Sequence, residues 1–385
     1  MQRETEISLI KEVLNLNEQN TTQFGKASLG QTVDRYIDPS FFEKEKERIF
    51  TKIPNAVAVT GEIPNPGDYL AKQWINEIPL LLARDHEGKI RAYANICKHR
   101  NSTLVAVGTG CKQKFTCPYH GWTYGLDGKL KGAPDFDAGF AGLSKDDVGL
   151  LEFSAKEVNG MIFVSIDPTT PIPENYIPNE VINSLDYLKV SKQKVYKSRE
   201  YLVKANWKII AEGGYEAYHY NVAHKGSLAP FFQGNRLTWQ SWDRFMRMVL
   251  PKKSMFGAID LPEEQWDIRQ MSNLLYTFPP FMSLLAQPDN ISVIRAIPLS
   301  PHETRIEEVL LVDAPRDGGS QWSPEELGLH EKNFNLVNHI LWEDWTLMEN
   351  IQSNMKSGLV KHVNFGRFEA ALTEMHEQYE RDLGI

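Results

Sequence analysis

Two cysteines and two histidines are spaced to hold metal. The segment CKHRNSTLVAVGTGCKQKFTCPYHGW contains Cys97-x-His99, seventeen intervening residues and then Cys117-x-x-His120, so two Cys/His pairs fall on two expected loops. A 2Fe-2S centre needs each iron tetrahedral. Bridging sulfides fill two positions, and two thiolates on one iron with two imidazoles on the other complete the set. Each loop would then give one ligand to each iron, and neutral imidazoles in place of thiolates would raise the cluster's potential. A structural zinc cage satisfies the same four residues. Cys111 lies between the pairs and fits neither; a lone cysteine is more often a small apolar filler than a ligand.

A second set lies downstream. NWKIIAEGGYEAYHYNVAHK places Glu212, Glu216 and His219 at i, i+4 and i+7, one face of a helix expected from Asn206 to Lys225, with His224 five residues further on. Oxygen-activating non-haem iron typically takes two histidines and one carboxylate on one face of an octahedron, leaving positions open. The distant carboxylate has three candidates in LWEDWTLMENIQSNMKSG, namely Glu343, Asp344 and Glu349. Ordinary helix histidines and a solvated acidic face are the bland alternative. Tyr218, Tyr220, Phe231, Phe232, Phe278, Phe281 and Trp342 are candidates to line an apolar pocket, or simply core.

These residues need elements to position them. Residues 1–40 mix polar and helical segments, and DPSFFEKEKERIF at 38–50 predicts a short helix. From 55 to 165, short apolar runs alternate with turns at Glu87-Gly88, Asp127-Gly128 and Asn159-Gly160. The proline-rich DPTTPIPENYIP then marks a boundary near 167–180. Beyond it, strand-like runs at 195–204, 236–250, 273–286, 290–298 and 304–313 accompany two helical patterns, the second opening on a Ser323-Pro324-Glu325-Glu326 capping box and ending near Gly358. The pattern predicts α+β architecture with a lead-in at 1–40, a cluster-bearing segment at 41–167 and a second metal-bearing segment at 168–385.

Composition narrows the function. The 385 residues are 42% hydrophobic, enough for sizeable cores, and a net charge of −8 disfavours a general nucleic-acid binder. Three cysteines are too few for a disulfide framework and fit a reducing compartment. No run of about 18 apolar residues and no basic leader occurs, so the expectation is a soluble cytoplasmic protein. The sequence contains no GxGxxG or GxxxxGK[ST] loop, which argues against a built-in nucleotide or flavin domain.

CxHR followed by CPYHGW resembles the cluster signature of Rieske non-haem iron, ring-hydroxylating oxygenases, and NWK...E...ExYHx4H followed by ED...E..Q resembles their catalytic domain. The likeness runs from about 40 to 380 and includes FGRFEAALTEMH. It implies an all-β Rieske domain plus a helix-grip catalytic domain, an antiparallel sheet with long helices. Cys97, His99, Cys117 and His120 would bind the 2Fe-2S cluster, and His219, His224 and Asp344 one mononuclear Fe(II). Asp344 is preferred to Glu343 on this resemblance alone. It further implies that Glu216, where many members carry aspartate, bridges His219 to the second cluster histidine of a neighbouring subunit in a head-to-tail homotrimer. Electrons would come from NAD(P)H through a separate reductase, possibly with a ferredoxin. The expected substrate is a small, aromatic or otherwise apolar organic molecule hydroxylated with O2. Oxidative cleavage of a methylated or quaternary amine is the first alternative, and a bare Rieske electron carrier the second. The family usually has glycine where this chain has Asn101, which predicts a slightly different first loop.

Overall fold

The turns at Glu87-Gly88, Asp127-Gly128 and Asn159-Gly160 each close an antiparallel hairpin in the computed structural model, which describes residues 1–25 and 29–385. Gly88, Gly128 and Gly160 take φ of +83°, +75° and +97°, a region where a Cβ is strained. The chain forms two compact units: Phe50–Tyr176, and a larger one made of Met1–Ile49 with Ile177–Ile385.

The smaller unit is built from antiparallel strands and short helical turns. Its five-stranded sheet runs Glu152–Phe153, Ile90–Ala94, Pro79–Arg84, Asp68–Gln73 and Gly108–Cys111 in spatial order. A three-stranded sheet joins Ala155–Val158, Met161–Val164 and Asn55–Val59, and another joins Lys114–Thr116, Thr123–Gly125 and Leu130–Gly132. Leu81, Tyr93, Phe115, Trp122 and Tyr124 fill the core, and Cys97 and Cys117 are buried in the same cluster. The cysteines therefore sit on loops anchored to packed apolar side chains.

The larger unit is a seven-stranded antiparallel sheet with a long helix, as expected. Spatial order runs Lys194–Val203, Glu303–Val312, Asn290–Ser300, Met282–Ala286, Ser272–Phe278, Phe245–Pro251 and Thr238–Trp242. The 236–250 run becomes two strands because Asp243 turns with φ +54°. The helix Pro324–Lys356 has 33 residues, about 50 Å of rise. Its start is the expected capping box: the Ser323 hydroxyl accepts from the Glu326 N–H, and the Glu326 carboxylate accepts from the Ser323 N–H.

Residues 41–49, grouped with the cluster segment by the sequence pattern, cluster with the larger unit, and the second boundary falls after Tyr176 rather than 167. The reason for the first shift is chemical. Glu45, within the helix Pro39–Glu45, forms an ion pair with Lys208 in which both side chains are almost fully buried, and Trp207 Nε1 donates to the same carboxylate at 3.1 Å. The rings of Tyr36, Trp207 and Tyr379 surround the ammonium at 5.4–5.7 Å from their centroids. Glu45→Leu is expected to destabilise the larger unit by roughly 3–5 kcal/mol, because it strands a buried cation. Urea unfolding followed by tryptophan fluorescence checks this, and adding Lys208→Met should recover most of the loss.

The helix expected from Asn206 to Lys225 is not continuous. It spans Trp207–Gly214, breaks, and resumes for Tyr220–Ala223. Two consecutive glycines, each costing about 1 kcal/mol relative to alanine in a helix, end the first segment. Glu212, Glu216 and His219 therefore do not share one helical face.

Candidate metal sites

The two Cys/His loops of the smaller unit are built alike. Cys97 N–H donates to Ser102 O and Cys117 N–H to Trp122 O, both at 2.8 Å. Asn101 N–H returns to Cys97 O at 2.9 Å and Gly121 N–H to Cys117 O at 3.1 Å. Each closure needs a left-handed residue at the fifth position, and Asn101 and Gly121 supply it with φ +58° and +73°. Asn101 thus takes the same left-handed conformation as Gly121 in the second loop, which asparagine tolerates better than other side-chain-bearing residues.

The cysteines are 1% and 3% exposed, whereas His99 is half-buried and His120 exposed. The two imidazoles approach with ring centroids 4.6 Å apart. Trp122 stacks on His99 at 5.0 Å and Phe140 meets its edge at 5.4 Å, which fixes the ring. Burial, and then the neighbouring His120 and Arg100, push the His99 pKa down. Burial raises the Cys97 pKa; at Cys117 burial is outweighed by the backbone N–H groups of Tyr119 and His120, so the net shift is downward. His99 Nδ1 is a buried atom with no hydrogen-bond partner among the described residues. An orphaned imidazole nitrogen beside two buried thiols fits a metal group that both would ligate. Cys111 is exposed at the end of the strand Gly108–Cys111, outside this set and outside the core.

Sequence reasoning missed Tyr124. Its hydroxyl lies 3.4 Å from Cys97 Sγ and accepts from the Lys98 N–H at 3.1 Å. A hydrogen bond to a cluster sulfur stabilises the reduced, more negative state. Tyr124→Phe is therefore expected to lower the reduction potential of the centre without losing it, as read by a dye-mediated redox titration.

The second site lies wholly in the larger unit. Ligand atoms of His219, His224 and Asp344 lie within 4.8 Å of one another. Asp344 Oδ1 is 2.9 Å from His224 Nε2 and 3.7 Å from His219 Nε2. The break after Gly214 lets the chain turn so that both histidines, flanking the short Tyr220–Ala223 helix, face the long helix. Glu216 and Glu343 hold the far sides of the rings. The Glu216 carboxylate pairs with His219 Nδ1 and accepts from the backbone N–H groups of Tyr218 and His219. Glu343 Oε2 is 2.8 Å from His224 Nδ1 and also accepts from the Ser227 hydroxyl. Carboxylates at both Nδ1 atoms favour the tautomer whose Nε2 lone pair points at the metal position.

The paired carboxylates Glu343 and Asp344 thus divide two tasks. Successive residues on a helix point about 100° apart, so one addresses Nδ1 and the other Nε2 of the same imidazole. Burial disfavours charging His224, but Asp344 and then Glu343 outweigh it and raise its pKa. Burial likewise opposes ionised Glu343, yet Ser227 and His224 hold its pKa below the usual range. Glu349 accepts from the Lys204 N–H at 2.9 Å, and Glu212 is bound by Tyr36 Oη at 2.6 Å and His376 Nε2 at 3.0 Å. Neither joins the triad.

His219, His224 and Asp344 open onto a cavity of about 500 Å³. Of the aromatic residues anticipated for a pocket, Tyr220, Phe231, Phe232 and Phe281 line it, whereas Tyr218, Phe278 and Trp342 do not. Trp345, beside Asp344 in sequence, also lines it. Three donors on one side of the metal position and open space on the other fit an ion with free coordination positions better than a closed structural site.

Comparisons with known proteins bear on both sites. The family model for the ring hydroxylating alpha subunit, catalytic domain, matches residues 185–384, and that for the Rieske [2Fe-2S] domain matches 54–149. The first donor set falls inside the Rieske match, which favours an iron-sulfur cluster over zinc. The glycine betaine monooxygenase oxygenase subunit of Chromohalobacter salexigens is 34% identical over 194 residues, 49% of this chain and 42% of that protein. The carnitine monooxygenase oxygenase subunit of Acinetobacter baumannii is 31% identical over 197 residues, 50% of this chain and 51% of that protein. The matched stretch thus spans about half the length of these curated relatives. In fold, the crystal structure of the quaternary ammonium Rieske monooxygenase CntA with L-carnitine is similar, with a TM-score of 0.76 at 22% identity, covering 94% of this chain and 96% of that one. The chain belongs to the ring hydroxylating alpha subunit family and carries a Rieske [2Fe-2S] domain ahead of its catalytic domain.

Proposed function

We propose that this protein is a terminal oxygenase that uses electrons from an external NAD(P)H-dependent reductase, with or without a ferredoxin, to oxidise a small organic substrate with O2. The observation that carries this reading is the convergence of His219, His224 and Asp344 on a cavity large enough for such a substrate. Cys97, His99, Cys117 and His120 would hold the cluster; His219, His224 and Asp344 would hold the mononuclear iron. When bound, these groups supply single electrons and the activation of dioxygen.

The chain's own contribution is positioning. Glu216 and Glu343 orient the two imidazoles, the aromatic rings of the cavity hold substrate beside the triad, and the apolar lining excludes water. In the proposed head-to-tail homotrimer, the exposed His120 of one copy meets Glu216 of its neighbour, giving a hydrogen-bonded path between the two metal groups. A cytoplasmic location is part of the same reading; among the described residues no helix is long and apolar enough to cross a membrane.

For the substrate, oxidation of a methylated or quaternary amine at a carbon bound to nitrogen is supported by the glycine betaine and carnitine enzymes among the relatives. Hydroxylation of an aromatic ring is the second reading, supported by the family's catalytic-domain match. A bare electron carrier has no use for the second triad. Reconstitution with a reductase, NADH and either quaternary amines or simple aromatics separates the three. Amine-dependent O2 uptake with aldehyde release supports the first, a hydroxylated ring the second, and reduction without substrate-dependent O2 uptake would leave the carrier.

A further inference from the structure

The cavity beside the triad is unevenly charged. Among the described residues that line it, Lys252 is the one cation, and Asp344 the one carboxylate. Lys252 Nζ donates a single hydrogen bond, to Gln270 O at 3.0 Å, and no carboxylate pairs with it among the described residues. Its ammonium therefore keeps two hydrogens uncommitted. Burial pushes its pKa below the usual lysine value against the pull of Asp289 and Asp267, so an anion brought to it would be favoured.

Two further polar groups on the sheet wall have no partner among the described residues. Asn273, on the strand Ser272–Phe278, is 8% exposed, and Ser283, on Met282–Ala286, is 5% exposed. Both line the cavity, and neither side chain has a hydrogen-bond partner among the described residues. Strand register sets Asn273 opposite Leu250, two residues before Lys252. Both side chains open onto the cavity without a partner from the described residues, so a ligand there can supply hydrogen-bonding partners to an amide and a hydroxyl.

We propose that Lys252, assisted by Asn273, binds a carboxylate on the substrate, which makes the substrate a small organic acid or zwitterion rather than a purely cationic amine or a neutral hydrocarbon. The rest of the molecule occupies the aromatic part of the cavity and presents its oxidisable carbon to the triad. This specificity rests on the oxygenase reading only in calling the ligand a substrate. Among the described residues the cavity carries no carboxylate beyond Asp344 to neutralise an isolated cation, so a quaternary ammonium group would be held by ring faces and by its own attached carboxylate.

Calorimetric titration of the holoenzyme with two matched pairs tests the assignment: glycine betaine against choline, and 4-methylbenzoate against 4-methylbenzamide. In at least one pair the carboxylate member should bind about tenfold tighter or more, the effect of one charge-assisted hydrogen bond. Lys252→Met should abolish that preference, Lys252→Arg should retain it, and Asn273→Leu should reduce it, with iron content unchanged in each. A preference that survives Lys252→Met, no preference in either pair, or no binding by either carboxylate overturns the proposal. Oxygen uptake with a reductase, measured on the same samples, separates the two readings. A Lys252-dependent preference in protein that consumes no O2 keeps the anchor and removes the oxygenase. Uptake without the preference does the reverse.

Discussion

Asp344→Asn is expected to remove the mononuclear iron and abolish product formation while leaving the cluster intact. Iron should fall from about three to about two per chain, with the visible spectrum and the reduced EPR signal unchanged. The reason is geometric: Asp344 Oδ1 faces both Nε2 atoms, which makes it the anionic donor of the proposed set, and a carboxamide brings no charge to offset a dication. Glu343→Gln provides the contrast. Glu343 touches His224 only at Nδ1, so the variant should weaken iron binding by roughly 10–100-fold, as outer partners do, and excess iron should restore it. Atomic absorption on both variants checks the pair. Iron lost irrecoverably from Glu343→Gln but kept by Asp344→Asn would exchange the two roles.

Glu216→Gln should keep both metals and lose coupled turnover. The carboxylate accepts from His219 Nδ1 and from two backbone N–H groups at once. A glutamine retains one acceptor oxygen but loses the negative charge and the second acceptor, so the His219 ring keeps its place while losing its electrostatic partner. Product formed per NADH consumed is expected to drop by roughly 10–100-fold with iron and labile sulfide unchanged. Full turnover in that variant, with both metals present, would remove Glu216 from the path and leave the ligand assignments standing.

The parts of this site legible in sequence were those set by short-range spacing. Cys97-x-His99 and Cys117-x-x-His120 each occupy one loop, and the loops are closed by their own backbone hydrogen bonds. His219 and His224 bracket a single short helix. The continuous helical face failed because Gly213 and Gly214 outweigh the apolar period, and the break is what turns the histidines toward the long helix. Asp344 was separable from Glu343 only by resemblance, since both roles depend on how His224 meets a helix 119 residues away. The cavity wall was the least legible part. Lys252, Asn273 and Ser283 lie on or beside three different strands, and only the register of the sheet brings them to one surface.

A chain that holds both a Rieske cluster and a separate mononuclear iron has a distinctive composition. Metal and labile-sulfide content with low-temperature EPR of anaerobically purified protein, before and after dithionite, tests for both most directly. About three irons and about two sulfides per chain are expected, with a Rieske-type signal on reduction. Colourless protein containing zinc and no sulfide would contradict both assignments.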